Sequence, residues 1–221
     1  MPRLRDAKTL QCTWRLERLA YRRGWLRVAG CDEAGRGALL GPLYAAAVIL
    51  DSAQPIFGLN DSKKLSPERR LKLDIEIRRT AVSFRIVAIS AEEVDAINVY
   101  EASRQAMIRA LGSLSPAAEY ILTDAMPLRG ACAAQLAPHW PLIHGDARSV
   151  SIAAASILAK VARDAHMLEL DRLYPQYQLA QNKGYGTADH IQSLRRYGPC
   201  REHRRSFQPV RDCLLSLFPL S

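Results

Sequence analysis

The stretch from about Val150 to Leu173 reads as one long helix, and it constrains the fold more than any other part of the chain. Ile157, Val161 and Leu168 recur at spacings of four and seven, an apolar stripe that has to lie against a second layer. The preceding segments supply that layer. "WLRVAGC" (25–31), "PLYAAAVIL" (42–50), "SFRIVAIS" (83–90), "AEYILTD" (118–124) and the short "PLIHGD" (141–146) read as strands. "SPERRLKLDIEIRRTA" (66–81) reads as a helix with Ser66 as N-cap and Pro67 at the first helical position. "VYEASRQAMIRALGSL" (99–114) reads as another. Strands interleaved with helices predict an α/β domain with a central mixed β-sheet flanked by helices. Helical patterns near "TADHIQSLRRYG" and "PVRDCLLSLF" close the chain. The expected organisation is an Arg-rich, helical N-terminal extension over 1–24, a domain over 25–175 and a C-terminal helical segment over 176–221.

With 221 residues, 48% of them hydrophobic, the chain can fill one core. Its longest apolar run, "LYAAAVIL" (43–50), is far short of the roughly 20 residues that a membrane span requires. No apolar stretch with a small-residue cleavage site follows the start, and the first 24 residues lack the serines of an organellar presequence. Cys12, Cys31, Cys132, Cys200 and Cys213 are scattered and show no zinc-ligand spacing. Reduced thiols, a cytoplasmic location, a monomer and no membrane association are the expectations.

The net charge of +9 is unevenly spread. Residues 1–27 carry eight Lys or Arg and two acids, residues 182–212 carry seven and three, and 28–181 carry sixteen and seventeen. Basic ends around a balanced middle suit a polyanion steered toward a site of different character. Solvated helix faces would produce the same count, so charge alone leaves both readings open.

Three aspartates sit on apolar surfaces. Asp32 continues the strand face of Leu26, Val28 and Gly30, and Asp124 continues that of Tyr120 and Leu122. Asp164 lies between Val161 and Leu168 on the helix stripe. A buried carboxylate has to be neutralised, paired or bound to metal. Singly, each is explained by an arginine neighbour or a capped backbone group. Converging together, they would repel one another until divalent cations intervened, and oxygen ligands without Cys or His favour magnesium or manganese.

"CDEAGRG", "GP", "DSKKLS", "TDAMP", "GDARSVSIAAASILAKVARD" and "NKGYGT…H…L..YGP…HR.SF" occur in this order from about Val28 to Val210. In this the chain resembles the ribonuclease HII family. The resemblance implies a ribonuclease H-like fold, with 25–175 as the catalytic domain and 176–221 adding substrate contacts. It implies an endonuclease acting on RNA–DNA hybrids and on duplex DNA containing single ribonucleotides. It further implies Mn2+ or Mg2+ as cofactor and products with 5′-phosphate and 3′-hydroxyl ends. Carried over by motif, Asp32, Glu33, Asp124 and Asp164 are the expected catalytic, metal-binding carboxylates. Gly35, Arg36 and Gly37 are expected to sense the ribose 2′-hydroxyl, and Tyr185 to stack on the next sugar. Lys63 and Arg148 or Ser149 are expected phosphate contacts, with Lys183, Arg204 and Arg205 as weaker candidates.

Two departures stand out. Ala38, Leu39 and Leu40 follow the glycine motif where the family pattern has Pro-Leu-Ala, and Ala125 stands where glycine is frequent. Two alternatives remain at this point. One is another metal-dependent nuclease or integrase of the same fold acting on DNA, and the other a non-catalytic nucleic-acid-binding protein.

Overall fold

The computed structural model describes residues 12–130 and 133–217. Five strands form one mixed sheet in the order β3-β2-β1-β4-β5: β1 (Val28–Ala34), β2 (Leu43–Ile49), β3 (Ser83–Ile89), β4 (Tyr120–Asp124) and β5 (His139–Leu142). β2 lies antiparallel to both β1 and β3, whereas β1 runs parallel to β4 and β4 to β5. The α/β architecture with a mixed sheet is as the strand and helix patterns predict.

Helix α1 (Arg15–Tyr21) precedes the sheet, α2 (Pro67–Thr80) follows β2, and α3 (Ala91–Ile97) and α4 (Val99–Gly112) follow β3. Helix α5 (Val150–Leu173) spans the expected range, and α6 (Leu179–Asn182), α7 (Ala188–Tyr197) and α8 (Gln208–Leu217) follow it. Residues 1–11 of the expected helical extension lie outside the described residues. Among the described residues, no helix is long and apolar enough to cross a membrane.

Ser66 caps α2 by accepting from the Arg69 amide, with Pro67 at the first helical position. Helix α3 is absent from the sequence expectations, although its signal is present: Ser90 accepts from the Glu93 amide, a Ser-x-x-Glu capping pattern. Asn98 then interrupts the helix at φ +67° and caps α4 by accepting from the Tyr100 and Glu101 amides.

The sheet is covered on both faces. Ala29, Cys31, Ala45, Ala47 and Ile121 pack in the α4 layer, while Ala46 and Val48 pack with α2 and α5. Small residues let α5 lie close. A Cβ placed on Gly30 would stand 2.0 Å from the Ser151 carbonyl carbon, so no side chain fits between β1 and the start of α5.

Three features differ from the expectations. Leu26 lies outside β1 and is 72% exposed, so the inward face begins at Val28. The fifth strand ends at Leu142, and residues 145–147 form a 3-10 turn instead. Leu168 is 47% exposed because the second half of α5 turns a different face inward. There Met167 and Leu170 pack on Leu40, Tyr177 and Leu179 rather than on the sheet.

Candidate active site

The parallel register pairs Cys31 with Thr123, which sets Asp32 beside Asp124 at the carboxyl ends of adjacent strands. The turn Gly145–Ala147, just before α5, supplies a third carboxylate. The Gly145 amide donates to Asp124 Oδ1 at 2.7 Å, drawing this turn onto the end of β4. As a result one carboxylate oxygen each of Asp32, Asp124 and Asp146 lie within 4.8 Å of one another. Glu33 adjoins them, and its amide donates to Asp32 Oδ1 at 2.7 Å. Glu33 Oε1 is 3.6 Å from the Arg36 guanidinium, while Oε2 is buried without a hydrogen-bond partner.

Asp164 is elsewhere. It accepts from Lys160 Nζ at 2.6 Å, one helical turn back. Along α5 it follows Ser156, whose hydroxyl lies against Asp32, by about 12 Å of helix. The geometry thus gathers Asp32, Glu33, Asp124 and Asp146 and leaves Asp164 outside. Asp146 stands in the "GDARS" part of the quoted motif, but it lies on no periodic apolar face that would single it out.

The electrostatics follow from the crowding. Burial, and then the charges of Glu33 and Asp124, push the Asp32 carboxyl well above its usual range. Burial raises Glu33 to about 7, with Arg36 and Lys63 opposing and Asp124 adding to it. Asp146 rises to about 6 through burial, Asp124 and Asp61. Burial lowers the Lys63 ammonium, but Asp61, Asp32, Asp146 and Asp124 outweigh it, and the net direction is up. An all-oxygen set of crowded carboxylates, adjoined by a buried unpaired oxygen, fits hard divalent cations.

Beside the cluster lies the glycine segment. Gly35 is buried at φ +88°, while Arg36 and Gly37 are exposed, and a Cβ on Gly37 would meet nothing within 4 Å. Two fully buried arginines hold this segment from behind. Arg163 donates to the carbonyls of Pro42, Leu40 and Lys183 at 3.2, 3.2 and 2.8 Å. Arg204 donates to Gly41 O and Arg36 O at 2.9–3.1 Å. Burial, and then Arg163, bring Arg204 down to about 9. Arg204 is therefore closed off from phosphate and acts as a backbone clamp. Ala38, Leu39 and Leu40 are buried too: Leu39 packs with Leu194 and Val210, and Leu40 with Met167 and Tyr177.

Tyr185 is exposed, its ring centroid 5.4 Å from the Arg163 guanidinium carbon. A histidine relay holds its backbone. The Cys200 amide donates to His203 Nδ1, so the proton of His203 sits on Nε2 and points to His190 Nε2 at 3.3 Å. His190 Nδ1–H then donates to the Tyr185 carbonyl at 2.9 Å. Burial and His190 lower His203 to about 3, which keeps the relay neutral.

Lys63 is exposed beside the carboxylates, and Arg148 is half-buried, donating to Ile143 O at 3.2 Å. Lys183 is half-buried and Arg205 exposed. Ser149 is buried, and its hydroxyl is engaged by Glu17 and the Ile152 amide. Arg15, Arg18 and Arg22 line a groove with Phe57 and Val150 next to the start of α5.

Ala125, directly after Asp124, adopts φ +51°, a left-handed conformation that costs an L-residue roughly 1–2 kcal/mol. Ala125→Gly is expected to stabilise the fold by roughly 0.5–1 kcal/mol, after glycine's larger chain entropy is deducted. Thermal denaturation followed by circular dichroism checks this, and a lower melting temperature would contradict it.

A sequence profile of the family described as Ribonuclease HII matches residues 29–210. The Ribonuclease HII of Geobacillus kaustophilus is 53% identical over 200 residues, covering 90% of this chain and 75% of that protein. That of Solibacter usitatus is 51% identical over 210 residues, covering 95% and 89%. Among solved structures, ribonuclease H2 from Pyrococcus horikoshii superposes with a TM-score of 0.74 at 25% identity, covering 88% of this chain and 100% of that one.

Proposed function

The chain belongs to the ribonuclease HII family, and from that premise we propose that it is an endonuclease cutting both the RNA strand of RNA–DNA hybrids and duplex DNA at single embedded ribonucleotides. The observation that carries this reading is the meeting of Asp32, Asp124 and Asp146, with Glu33 adjoining them, beside an exposed Arg36-Gly37 segment. The four carboxylates would hold Mn2+ or Mg2+, which supplies the Lewis acidity for phosphodiester hydrolysis when bound.

The chain's own groups do the rest. The exposed backbone at Arg36-Gly37 is the part of the glycine segment open to the ribose, whose 2′-hydroxyl both donates and accepts where deoxyribose offers neither. Arg204, bonded to the Arg36 carbonyl, and Arg163, bonded to the Leu40 carbonyl just downstream, keep the segment from reorganising when substrate arrives. Tyr185 offers a ring to the neighbouring sugar, and Lys63 and Arg148 offer charge to phosphates. Water attacks phosphorus, the bond to the 3′-oxygen breaks and that oxygen takes a proton, leaving 5′-phosphate and 3′-hydroxyl ends.

The test compares a duplex with one ribonucleotide, an RNA–DNA hybrid and an all-DNA duplex, each with Mn2+ or Mg2+. The first two should be cut and the third left intact. Equal cutting of all three would refute the ribose-sensing role. Binding should also weaken with salt, by a log–log slope of about −0.9 for each phosphate neutralised.

A further inference from the structure

We infer that Glu17, in the N-terminal helix, is a positioning residue that holds the turn carrying Asp146. The inference rests on the reading of Asp146 as a metal-binding carboxylate. Glu17 is fully buried, although Arg15 and Arg18 of the same helix are exposed. Its Oε1 accepts from Ser149 Oγ at 2.5 Å and from the Ser151 amide at 3.0 Å, across 132 and 134 positions of chain. Ser149 is the N-cap of α5, accepting from the Ile152 amide, and its own amide donates to Gly145 O at 2.8 Å. The Arg148 amide donates to the same carbonyl at 3.0 Å. Asp146 is thus enclosed in a loop whose closing residue is gripped by Glu17. A second tie, from the Thr13 amide to Arg148 O at 3.4 Å, comes from the same N-terminal segment.

Cohesion alone does not require a carboxylate here. Leu16 and Ala20 already pack this helix against Val28, Leu122, Leu142 and Ile152. A buried carboxylate is costlier than an apolar side chain, and Glu17 Oε2 is left without a hydrogen-bond partner. What Glu17 provides, and an apolar residue would not, is a fixed direction. It engages a first-turn amide and the capping hydroxyl of α5, where a negative group is also favoured by the helix dipole. The consequence is a turn held in place before any cation arrives.

The test uses the full chain and its Glu17→Ala, Glu17→Gln and Asp146→Asn variants. Mn2+ binding is measured by isothermal titration calorimetry, and kcat and KM on an RNA–DNA hybrid. Loss of a partner bonded directly to a metal ligand costs roughly tenfold to a hundredfold in metal affinity, and Glu17→Ala, acting one step further out through Ser149, should cost about tenfold. Its kcat should fall in parallel while KM stays within about twofold, since the substrate-facing segments are untouched. Glu17→Gln keeps an acceptor oxygen for both donors and should recover most of the loss. Should Glu17→Ala fail to fold, Ser149→Ala, which removes only the hydroxyl, should show a smaller loss of the same kind. Wild-type Mn2+ affinity and kcat in a folded Glu17→Ala or Ser149→Ala protein, with Asp146→Asn inactive, would overturn this inference alone. Full activity and metal affinity in Asp146→Asn would instead overturn the reading on which it rests.

Discussion

Asp146→Asn is expected to lower cleavage by about a thousandfold or more, whereas Asp164→Asn should remain within about tenfold of the parent. A thousandfold loss corresponds to about 4 kcal/mol of transition-state stabilisation. The contrast follows from geometry. Asp146 shares a 4.8 Å cluster with Asp32 and Asp124, so its charge acts on whatever cation and phosphate lie there. Asp164 faces Lys160 across one helical turn, a partly exposed pair worth about 0.3–0.5 kcal/mol. A second readout separates metal binding from chemistry: Mn2+ should raise the melting temperature of the parent and of Asp164→Asn, but much less that of Asp146→Asn. If Asp164→Asn proves inactive and Asp146→Asn fully active, the carboxylate set has been misassigned.

Gly35→Ala should abolish cleavage at a single embedded ribonucleotide and destabilise the fold by about 3–5 kcal/mol. Its Cβ would stand 1.9 Å from Arg163 Nε, at a backbone φ of +88° that disfavours any side chain. Arg163 would have to leave the carbonyls of Leu40, Pro42 and Lys183, uncoupling the glycine segment from the Tyr185 loop and stranding a buried cation. Gly37→Ala provides the control, because the space around Gly37 is open and its φ is not positive. That variant should keep its melting temperature within about 2 °C of the parent, as a surface change normally does. A Gly35→Ala protein as stable and selective as the parent would disprove the clamp.

Much of this is legible in the chain. Ser66-Pro67 marks the start of α2, and the span of α5 follows from its pattern, because capping and helical periodicity act between near neighbours. Asp32 and Asp124 are recognisable as carboxylates ending apolar strand faces, since alternation along a strand is equally local. Leu168 and Asp164 mislead for a reason that periodicity cannot register. A 24-residue helix outlasts the sheet it packs on, and its second half buries the face bearing Met167 and Leu170 against the C-terminal segment. Arg163 and Arg204 look like ordinary surface charge, yet both are buried among carbonyls contributed by distant loops.

By itself the sequence determined most of the elements and their order, the basic ends and the motifs of the family, all properties of residues close together in the chain or of composition. Which carboxylates meet was decided only by tertiary structure. Asp32 and Asp124 are joined by the parallel register between β1 and β4, and Asp146 by the bond from the Gly145 amide to Asp124. Glu17 reaches Ser149 over 132 positions. Contacts at such separations depend on how whole elements pack, and no local pattern encodes which distant partner a side chain will find.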